Sequence, residues 1–155
     1  MTTTPLDDTA AMRLAIEASQ RALEAGNMPF GASLLSASGE LLHVAGNNQV
    51  TSGDFGGHAE MVLLREAETR LGLAALRGAT VYASGEPCAM CAAAIYWSGV
   101  SRVVFAASQA DIVATGGTVL PLGVRDVLAG TQPPVRVEGP LLNDEAVAVL
   151  REAGG

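Results

Sequence analysis

The chain has 155 residues, of which 49% are hydrophobic and 16% charged; its formal net charge is −7, and all nine basic side chains are arginines. This size predicts one domain over residues 1–155. The apolar runs stay below the roughly 18 residues of a membrane helix, and the polar, acidic start is unlike a leader peptide, so we expect a cytoplasmic protein without a membrane partner. The acidic balance argues against a nucleic-acid partner, and the absence of lysine excludes Schiff-base chemistry.

Hydrophobic periodicity and turn residues predict helices and strands that alternate along the chain. In chain order these are a helix at 7–25, strands at 32–36 and 41–45, a glycine-rich loop at 47–57, a helix at 58–73, a strand at 79–83, a helix at 88–98, a strand at 102–107, a loop or short helix at 111–120, a helical stretch at 124–128, a strand at 135–138 and a helix at 143–152. Such alternation favours one sheet covered on both faces, and the opening strand pair makes it mixed. We therefore expect an α/β fold, a three-layer α-β-α sandwich around a five-stranded mixed sheet.

The two cysteines, Cys88 and Cys91, form one C-x-x-C directly after Pro87, at the predicted start of a helix. One helical turn apart, they share a face, and the free N–H groups and the helix dipole favour thiolates there. Alone, this spacing fits a thioredoxin-like redox pair, a structural zinc site completed by His43 and His58, or two incidental cysteines.

A glycine-rich loop leads into His58 and Glu60 at the start of the next predicted helix. On a regular helix, residues two apart point about 200° away from each other. The two can serve one site only where His58 precedes the regular turns, an entry that Gly56 and Gly57 permit. Alone, they are a histidine and an acid at a helix start, where an acid suits the dipole.

Together, His58, Cys88 and Cys91 supply three zinc ligands and leave a fourth position open for water, as in catalytic zinc sites. Zinc lowers the pKa of such a water toward ~7, and Glu60 can then carry its proton to a leaving group. The pattern H-x-E followed by P-C-x-x-C is a signature of zinc nucleobase deaminases, and it is present as HAE at 58–60 and PCAMC at 87–91. We therefore predict a Zn²⁺ cofactor and a deaminase reaction.

The chain resembles the cytidine-deaminase superfamily over nearly all of its length, and within it the branch of guanine deaminases, fungal-type cytosine deaminases and tRNA adenosine deaminases. The segments that carry the resemblance are MPFGASLL, NNQVTSGDFGGHAE, SGEPCAMCAAAIYWSGVSRVVFAAS and PVRVEGPLLNDEAVAVLREAG. The resemblance implies hydrolytic deamination by zinc-activated water with a glutamate proton shuttle, a nucleobase or nucleoside as substrate, and a homodimer. Because the Ile95–Trp97 stretch is close to the guanine deaminase version, guanine or a related purine is the expected base.

The resemblance also implies roles for individual residues. They are zinc binding by His58, Cys88 and Cys91, proton transfer by Glu60, and substrate contact by Asn47, Phe30, Trp97, Ala59, Ser84 and Glu86. Near Ser84 and Glu60, the groups expected to meet the reacting atoms belong to the backbone. Read without the resemblance, Asn47 also fits a turn at a strand end and Phe30 fits the core. Trp97 fits a pocket, a dimer contact or the core.

Three departures from the branch keep alternatives open. Guanine deaminases have a second acidic residue where this chain reads GGTVL at 116–120; Asp111, Asp144 and Glu145 are the candidates to replace it. The usual Asp-Pro-Thr-Ala before HAE reads Asp-Phe-Gly-Gly at 54–57, which we interpret as a marker of altered substrate choice, with space opened by the glycines and refilled by Phe55. The chain also lacks the basic residues expected of a tRNA enzyme.

The alternatives are therefore of several kinds. A deaminase could act on cytosine, on another amino-heterocycle such as a triazine or a nucleoside, or on adenosine in tRNA. A non-catalytic module stabilised by zinc would close its site with His43 as the fourth ligand. A redox protein would use the C-x-x-C without metal.

Overall fold

The computed structural model describes residues 4–154. Residues 1–3 and 155 lie outside the described residues. They belong to the predicted domain, and residues 1–3 are part of the polar start that we expect not to be a leader peptide. The elements in chain order are α1 (Asp8–Glu24), β1 (Gly31–Leu35), β2 (Leu41–Gly46), α2 (Gln49–Ser52), α3 (Ala59–Leu71), a 3-10 helix (Leu73–Leu76), β3 (Thr80–Gly85), α4 (Ala89–Ser98), β4 (Arg102–Ala107), α5 (Gln109–Ala114), α6 (Val124–Leu128), β5 (Arg136–Glu138) and α7 (Asn143–Gly154).

The five strands form one mixed sheet in the order β2-β1-β3-β4-β5. Strand β1 is antiparallel to both β2 and β3, whereas β3 to β4 and β4 to β5 are parallel pairs. The parallel pairs place the carboxyl ends of β3 and β4 side by side. The expected five-stranded mixed sheet is thereby confirmed.

Side chains that alternate along the strands build one core on each face of the sheet. On one face, Val81 and Val103 pack with α3, α4 and α6. On the other face, Tyr82 and Val104 pack with α1, α5 and α7. This arrangement is the predicted three-layer sandwich, and it leaves α3 and α4 in the same layer.

An ion-pair network ties the N-terminus of α1 to the sheet. The Arg102 guanidinium on β4 donates to Asp8 at 2.6 Å and also pairs with Glu138 on β5. The Tyr82 hydroxyl donates to Asp8 at 2.6 Å. The hydrogen bonds from Arg102, followed by that from Tyr82, lower the pKa of Asp8 to about 2.

Several predicted boundaries differ from the structure by one or two residues, and two larger differences have local reasons. The stretch at 47–57 was expected to be a loop, but it contains the short helix α2, which ends at Gly53 with φ of 64°. The helix predicted at 58–73 ends at Leu71, because Gly72 takes φ of 85° and a 3-10 helix follows. Leu71 at the end of α3 is 42% exposed, because the buried face of the helix runs through residues 59, 63, 64 and 67. Within residues 4–154, no helix is both long and apolar enough to cross a membrane.

Candidate active site

Three side chains that could hold a metal meet where α3 and α4 begin. His58 is the N-cap of α3 and Cys88 is the N-cap of α4, and neither uses its side chain to cap its helix. Cys91 lies in the first turn of α4 and is buried. The Nδ1 atom of His58 is 3.5 Å from the Sγ atom of each cysteine, and the three ligand atoms all lie within 4.8 Å of one another.

This spacing fits zinc. Tetrahedral Zn–S and Zn–N bonds of about 2.3 and 2.0 Å place their N and S atoms about 3.6 Å apart. A hydrogen bond from the Cys91 thiol lowers the pKa of Cys88 to about 4, and His58 acts in the same direction. The pKa of Cys91 is raised because its proton is held in that hydrogen bond to Cys88. One thiolate is thus favoured by the protein itself, and thiolate is the form that binds zinc.

His43 is not part of this cluster. Its Nε2 atom is 2.8 Å from the Glu66 carboxylate, and its Nδ1 atom is 2.8 Å from the Arg70 guanidinium. These contacts join β2 to the exposed side of α3. The closed four-ligand site that a purely structural zinc would need is therefore not formed with His43.

Glu60 lies in the first turn of α3 and is 6% exposed. His58 keeps an extended backbone, with φ of −66° and ψ of 147°, so the 200° separation of a regular helix does not apply to the pair. Both side chains line the same cavity. Burial raises the pKa of Glu60 to about 7, which is a value at which a carboxyl can both accept and donate a proton near neutral pH.

A cavity of about 450 Å³ lies against the metal-ligand cluster. Among the residues expected there, its lining includes Phe30, Asn47, His58, Ala59, Glu60, Glu86 and Cys88. The sequence interpretation missed Met28, Gln49, Met90, Gln109, Ile112, Thr118, Val119 and Leu120. Most of these come from the segment after β4, and only the fold brings that segment to the site.

Asn47 and Phe30 occupy the inner part of the lining with different support. Asn47 is 3% exposed; its Oδ1 accepts from the Gln49 backbone N–H at 3.0 Å, and its Nδ2 donates to the Gln49 side chain at 2.8 Å. Asn47 is thus a turn residue and a cavity residue at once. Phe30 packs against both cores and still lines the cavity. A Cβ atom at Gly85 would lie 2.7 Å from the Phe30 ring, so the glycine at the end of β3 makes room for that ring.

The side chains of Trp97 and Ser84, two residues expected at the substrate, lie outside the cavity lining of the described residues, and the expected backbone contact near Ser84 stays a prediction. Trp97 is 78% exposed and contacts Tyr96 edge to face, with ring centroids 4.9 Å apart. The alternative that placed Trp97 in the core was wrong, because Trp97 lies on the side of α4 that faces away from the sheet. Among the described residues, Trp97 is also not part of the cavity lining. Ser84 is 3% exposed, and its hydroxyl accepts from the Gly31 backbone N–H at 2.9 Å, so its side chain supports the β1–β3 pairing instead of the cavity.

The interpretation of the Asp-Phe-Gly-Gly stretch was also wrong in part. A Cβ at Gly57 would lie 3.0 Å from the Gln49 backbone N and 3.1 Å from the Asp54 backbone O, so this glycine relieves close contacts within the loop, and it is not among the described residues that line the cavity. Phe55 does line the cavity, and it is 87% exposed at its mouth.

None of the three acids considered as replacements lines the cavity of residues 4–154. Asp111 forms a capping box with Ser108 at the start of α5 and accepts a hydrogen bond from Asn143. Glu145 pairs with Arg13 at 3.1 Å, and Asp144 lies beside it in the first turn of α7. The acids that line the cavity are Glu60 and Glu86.

Residues 5–107 match the family described as the cytidine and deoxycytidylate deaminase zinc-binding region. The chain belongs to this deaminase family. The match contains the three metal ligands and Glu60, so the expected enzyme class, a zinc-dependent deaminase with Zn²⁺ as cofactor, is confirmed.

Relatives of this deaminase differ in substrate. This chain is 37% identical over 146 residues to a probable cytosine deaminase of Schizosaccharomyces pombe, with 90% of this chain and 88% of the relative covered. It is 42% identical over 100 residues to the tRNA-specific adenosine deaminase of Bacillus subtilis, with 64% and 62% covered. The structure of a guanine deaminase from Nitrosomonas europaea superposes with a TM-score of 0.81 at 28% identity, with 97% of this chain and 87% of that chain covered.

Proposed function

We propose that this deaminase hydrolyses the exocyclic amine of a free nucleobase, with guanine or a related purine preferred. The observation that carries the proposal is the cavity beside the three metal-binding side chains. A buried acid, Glu60, and an aromatic ring, Phe30, both line this cavity. Apolar walls with a few polar groups are typical of sites for small planar ligands.

The metal ligands and Glu60 have different roles in the proposed reaction. His58, Cys88 and Cys91 would hold zinc, which would act as a Lewis acid and lower the pKa of a bound water. Glu60 accepts a proton from the attacking water, delivers it to a ring nitrogen and then moves a proton to the departing amine. The net reaction forms a C–O bond at the amine-bearing ring carbon, breaks the C–N bond and releases ammonia.

Asn47 and Phe30 orient the base in this proposal. The Asn47 amide is buried at the inner wall and is held by Gln49, so its direction is set before substrate arrives. The Phe30 ring is confined between the two cores and Gly85, and it offers a flat surface for a heteroaromatic ring. Preorganised contacts of this kind lower the entropic cost of binding.

Cytosine is the second candidate substrate. It is favoured by the likeness to the S. pombe relative, which extends over 90% of this chain. The stretch at 116–120, where guanine deaminases have a second acidic residue, also brings no acid to the cavity. Adenosine in tRNA is third, because a net charge of −7 opposes binding to a phosphate backbone. We further propose a cytoplasmic homodimer, for which the exposed Trp97 on α4 is the expected contact. Analytical ultracentrifugation should then give the mass of two chains, and the mass of one chain would contradict the proposal.

The substitution Glu60→Gln tests the proposal. We expect it to lower the rate of ammonia release by about 10²–10⁴-fold, because the amide cannot carry the proton, and to leave one zinc per chain. The assay uses guanine, other purines, cytosine, nucleosides, triazines and tRNA. Guanine should give the highest kcat/KM.

The matched control is Glu66→Gln on the same helix, where the carboxylate pairs with His43 on the outer side; this variant should retain the wild-type rate. A near-normal rate in Glu60→Gln would contradict the proposed role, and ammonia release from cytosine alone would replace guanine by the second candidate.

A further inference from the structure

Glu86 lies between the last residue of β3 and the metal-binding turn. Its backbone N–H donates to the Ala107 carbonyl at 2.7 Å, which extends the parallel pairing of β3 and β4 by one residue. The Glu86 side chain therefore starts at the carboxyl ends of two adjacent parallel strands, where ligands bind in open α/β sheets. It lines the cavity, but its carboxylate is already engaged.

Both carboxylate oxygens of Glu86 accept hydrogen bonds from the first residues of two helices. Oε1 accepts from the Gln109 backbone N–H of α5 at 3.0 Å, and Oε2 accepts from the Val124 backbone N–H of α6 at 2.9 Å. The first N–H groups of a helix have no partner inside it and favour a negative charge. Gly123, the N-cap of α6, provides no side-chain cap, and a Cβ there would lie 3.3 Å from Oε2, so this glycine leaves room for the carboxylate.

The segment between these two helix starts forms one wall of the cavity. Residues 109–124 contribute Gln109, Ile112, Thr118, Val119 and Leu120 to the lining. Beyond the Glu86 contacts, the Gln109 side chain donates to the Leu120 and Leu122 carbonyls at 3.2 and 3.0 Å. Leu120 and Leu122 are themselves 59% and 46% exposed, so polar contacts hold this part of the wall in place, whereas Ile112 and Val124 at its two ends are buried in the cores.

We propose that Glu86 is a positioning residue, which binds the starts of α5 and α6 and so fixes the wall at 109–124 at the distance that suits the substrate. This role replaces the expectation that Glu86 contacts substrate directly, because both of its oxygens are bonded to the backbone. The kinetic part of the inference rests on the proposed deaminase function; the structural part does not.

The substitution Glu86→Gln keeps the length of the side chain but turns an NH₂ group toward one of the two backbone donors. We expect KM to rise by about tenfold, as fits the loss of one charged hydrogen bond, while kcat changes by less than about threefold and zinc stays at one per chain. Amide hydrogen exchange should become faster within residues 109–124 and stay unchanged in α3. The assay uses whichever base of the panel above the wild-type enzyme deaminates.

Glu138→Gln is the control, because that carboxylate accepts from Arg102 at the beginning of β4, whereas Glu86 lies beside the last residue of that strand. The Glu138→Gln variant should leave KM and the exchange at 109–124 unchanged. Unchanged KM and exchange in Glu86→Gln would overturn the proposal. A loss of kcat at constant KM would instead place Glu86 at the reacting atoms, and loss of zinc would assign it to the metal site. If the wild-type enzyme releases ammonia from no base, the proposed function fails, while the exchange data still decide the role of Glu86.

Discussion

Phe55 is held at the mouth of the cavity by a tight turn. The Asp54 side chain accepts from the Gly56 N–H at 2.8 Å, and the Gly57 N–H donates to the Asp54 carbonyl at 2.9 Å. Asp54 also pairs with Arg65 on α3 at 3.6 Å. An aromatic ring that is 87% exposed on a fixed turn loses water contact when a planar ligand covers it, and this favours binding.

The substitution Phe55→Ala should raise KM by about three- to tenfold, which corresponds to about 0.6–1.4 kcal/mol of lost stacking. The value of kcat should stay close to wild type, because Glu60 and the metal ligands are untouched. Steady-state kinetics on two bases would also show weaker discrimination between them. The control is Val50→Ala, which shortens an exposed apolar side chain on α2 outside the cavity lining and should change neither KM nor kcat. If Phe55→Ala has the same kinetic constants as this control, Phe55 does not contribute to substrate binding.

At the level of single residues, the reaction could be predicted from the sequence and the shape of the cavity could not. His58, Glu60 and the two cysteines lie in short motifs at helix starts, so local sequence already specifies their geometry. The exposed position of Trp97 could not be predicted, because the sequence does not show which side of an almost wholly apolar helix faces the core.

Among the elements, α1 depends on the sheet through the network of Asp8, Arg102, Tyr82 and Glu138. The side chain of Arg102 is only 16% exposed, so its charge is best stabilised while its carboxylate partners are ionised. Because Asp8 has a pKa of about 2 in the folded chain and an ordinary value of about 3.9 when unfolded, the unfolded chain binds protons more readily. Its contribution to stability is therefore complete above about pH 4 and is lost as the pH falls toward about 2.

We expect Asp8→Asn to destabilise the protein at pH 5 and to do so much less at pH 2. The difference in unfolding free energy between wild type and variant, from denaturant titrations at each pH, should shrink across that window. A constant difference for Asp8→Asn would show that the network contributes nothing that depends on its charge.

The order of helices and strands could be read from the sequence because burial periodicity is local. The short helix α2 could not, since four residues in a polar stretch carry no period, and its end depends on Gly53. The end of α3 depended in the same way on the backbone of Gly72. Residues 109–120 were placed at the cavity only by the strand order, which joins β4 to β3 and so brings α5 beside the metal-binding turn.

For the whole molecule, zinc joins two helices that share one core with the sheet. A ligand that binds only the folded state stabilises it by about 4 kcal/mol at a concentration of about 1,000 times its Kd. For a chain of this size, that corresponds to a shift in Tm on the order of 10 °C. The three ligands lie within 4.8 Å only when α3 and α4 are packed, so the same linkage applies here.

Removal of zinc with a chelator should therefore lower the Tm by about that amount, as measured by thermal unfolding with and without the chelator. Cys91→Ser should lose most of the difference, because it removes one ligand. His43→Ala should keep both the zinc and the difference, because His43 contacts Glu66 and Arg70. Zinc loss in His43→Ala would favour the closed, non-catalytic site.

The cavity is lined by two sets of residues that lie in different parts of the sequence. The metal ligands, Glu60, Asn47 and Phe30 all precede residue 107, whereas the wall at 109–124 follows it, and Glu86 accepts hydrogen bonds from the start of each of its two helices. A replacement of that wall can change which ring fits without altering a group that handles protons or metal. Substrate choice in this deaminase can therefore drift during evolution by exchange of one short segment, provided that the exchanged segment still presents two helix starts to Glu86.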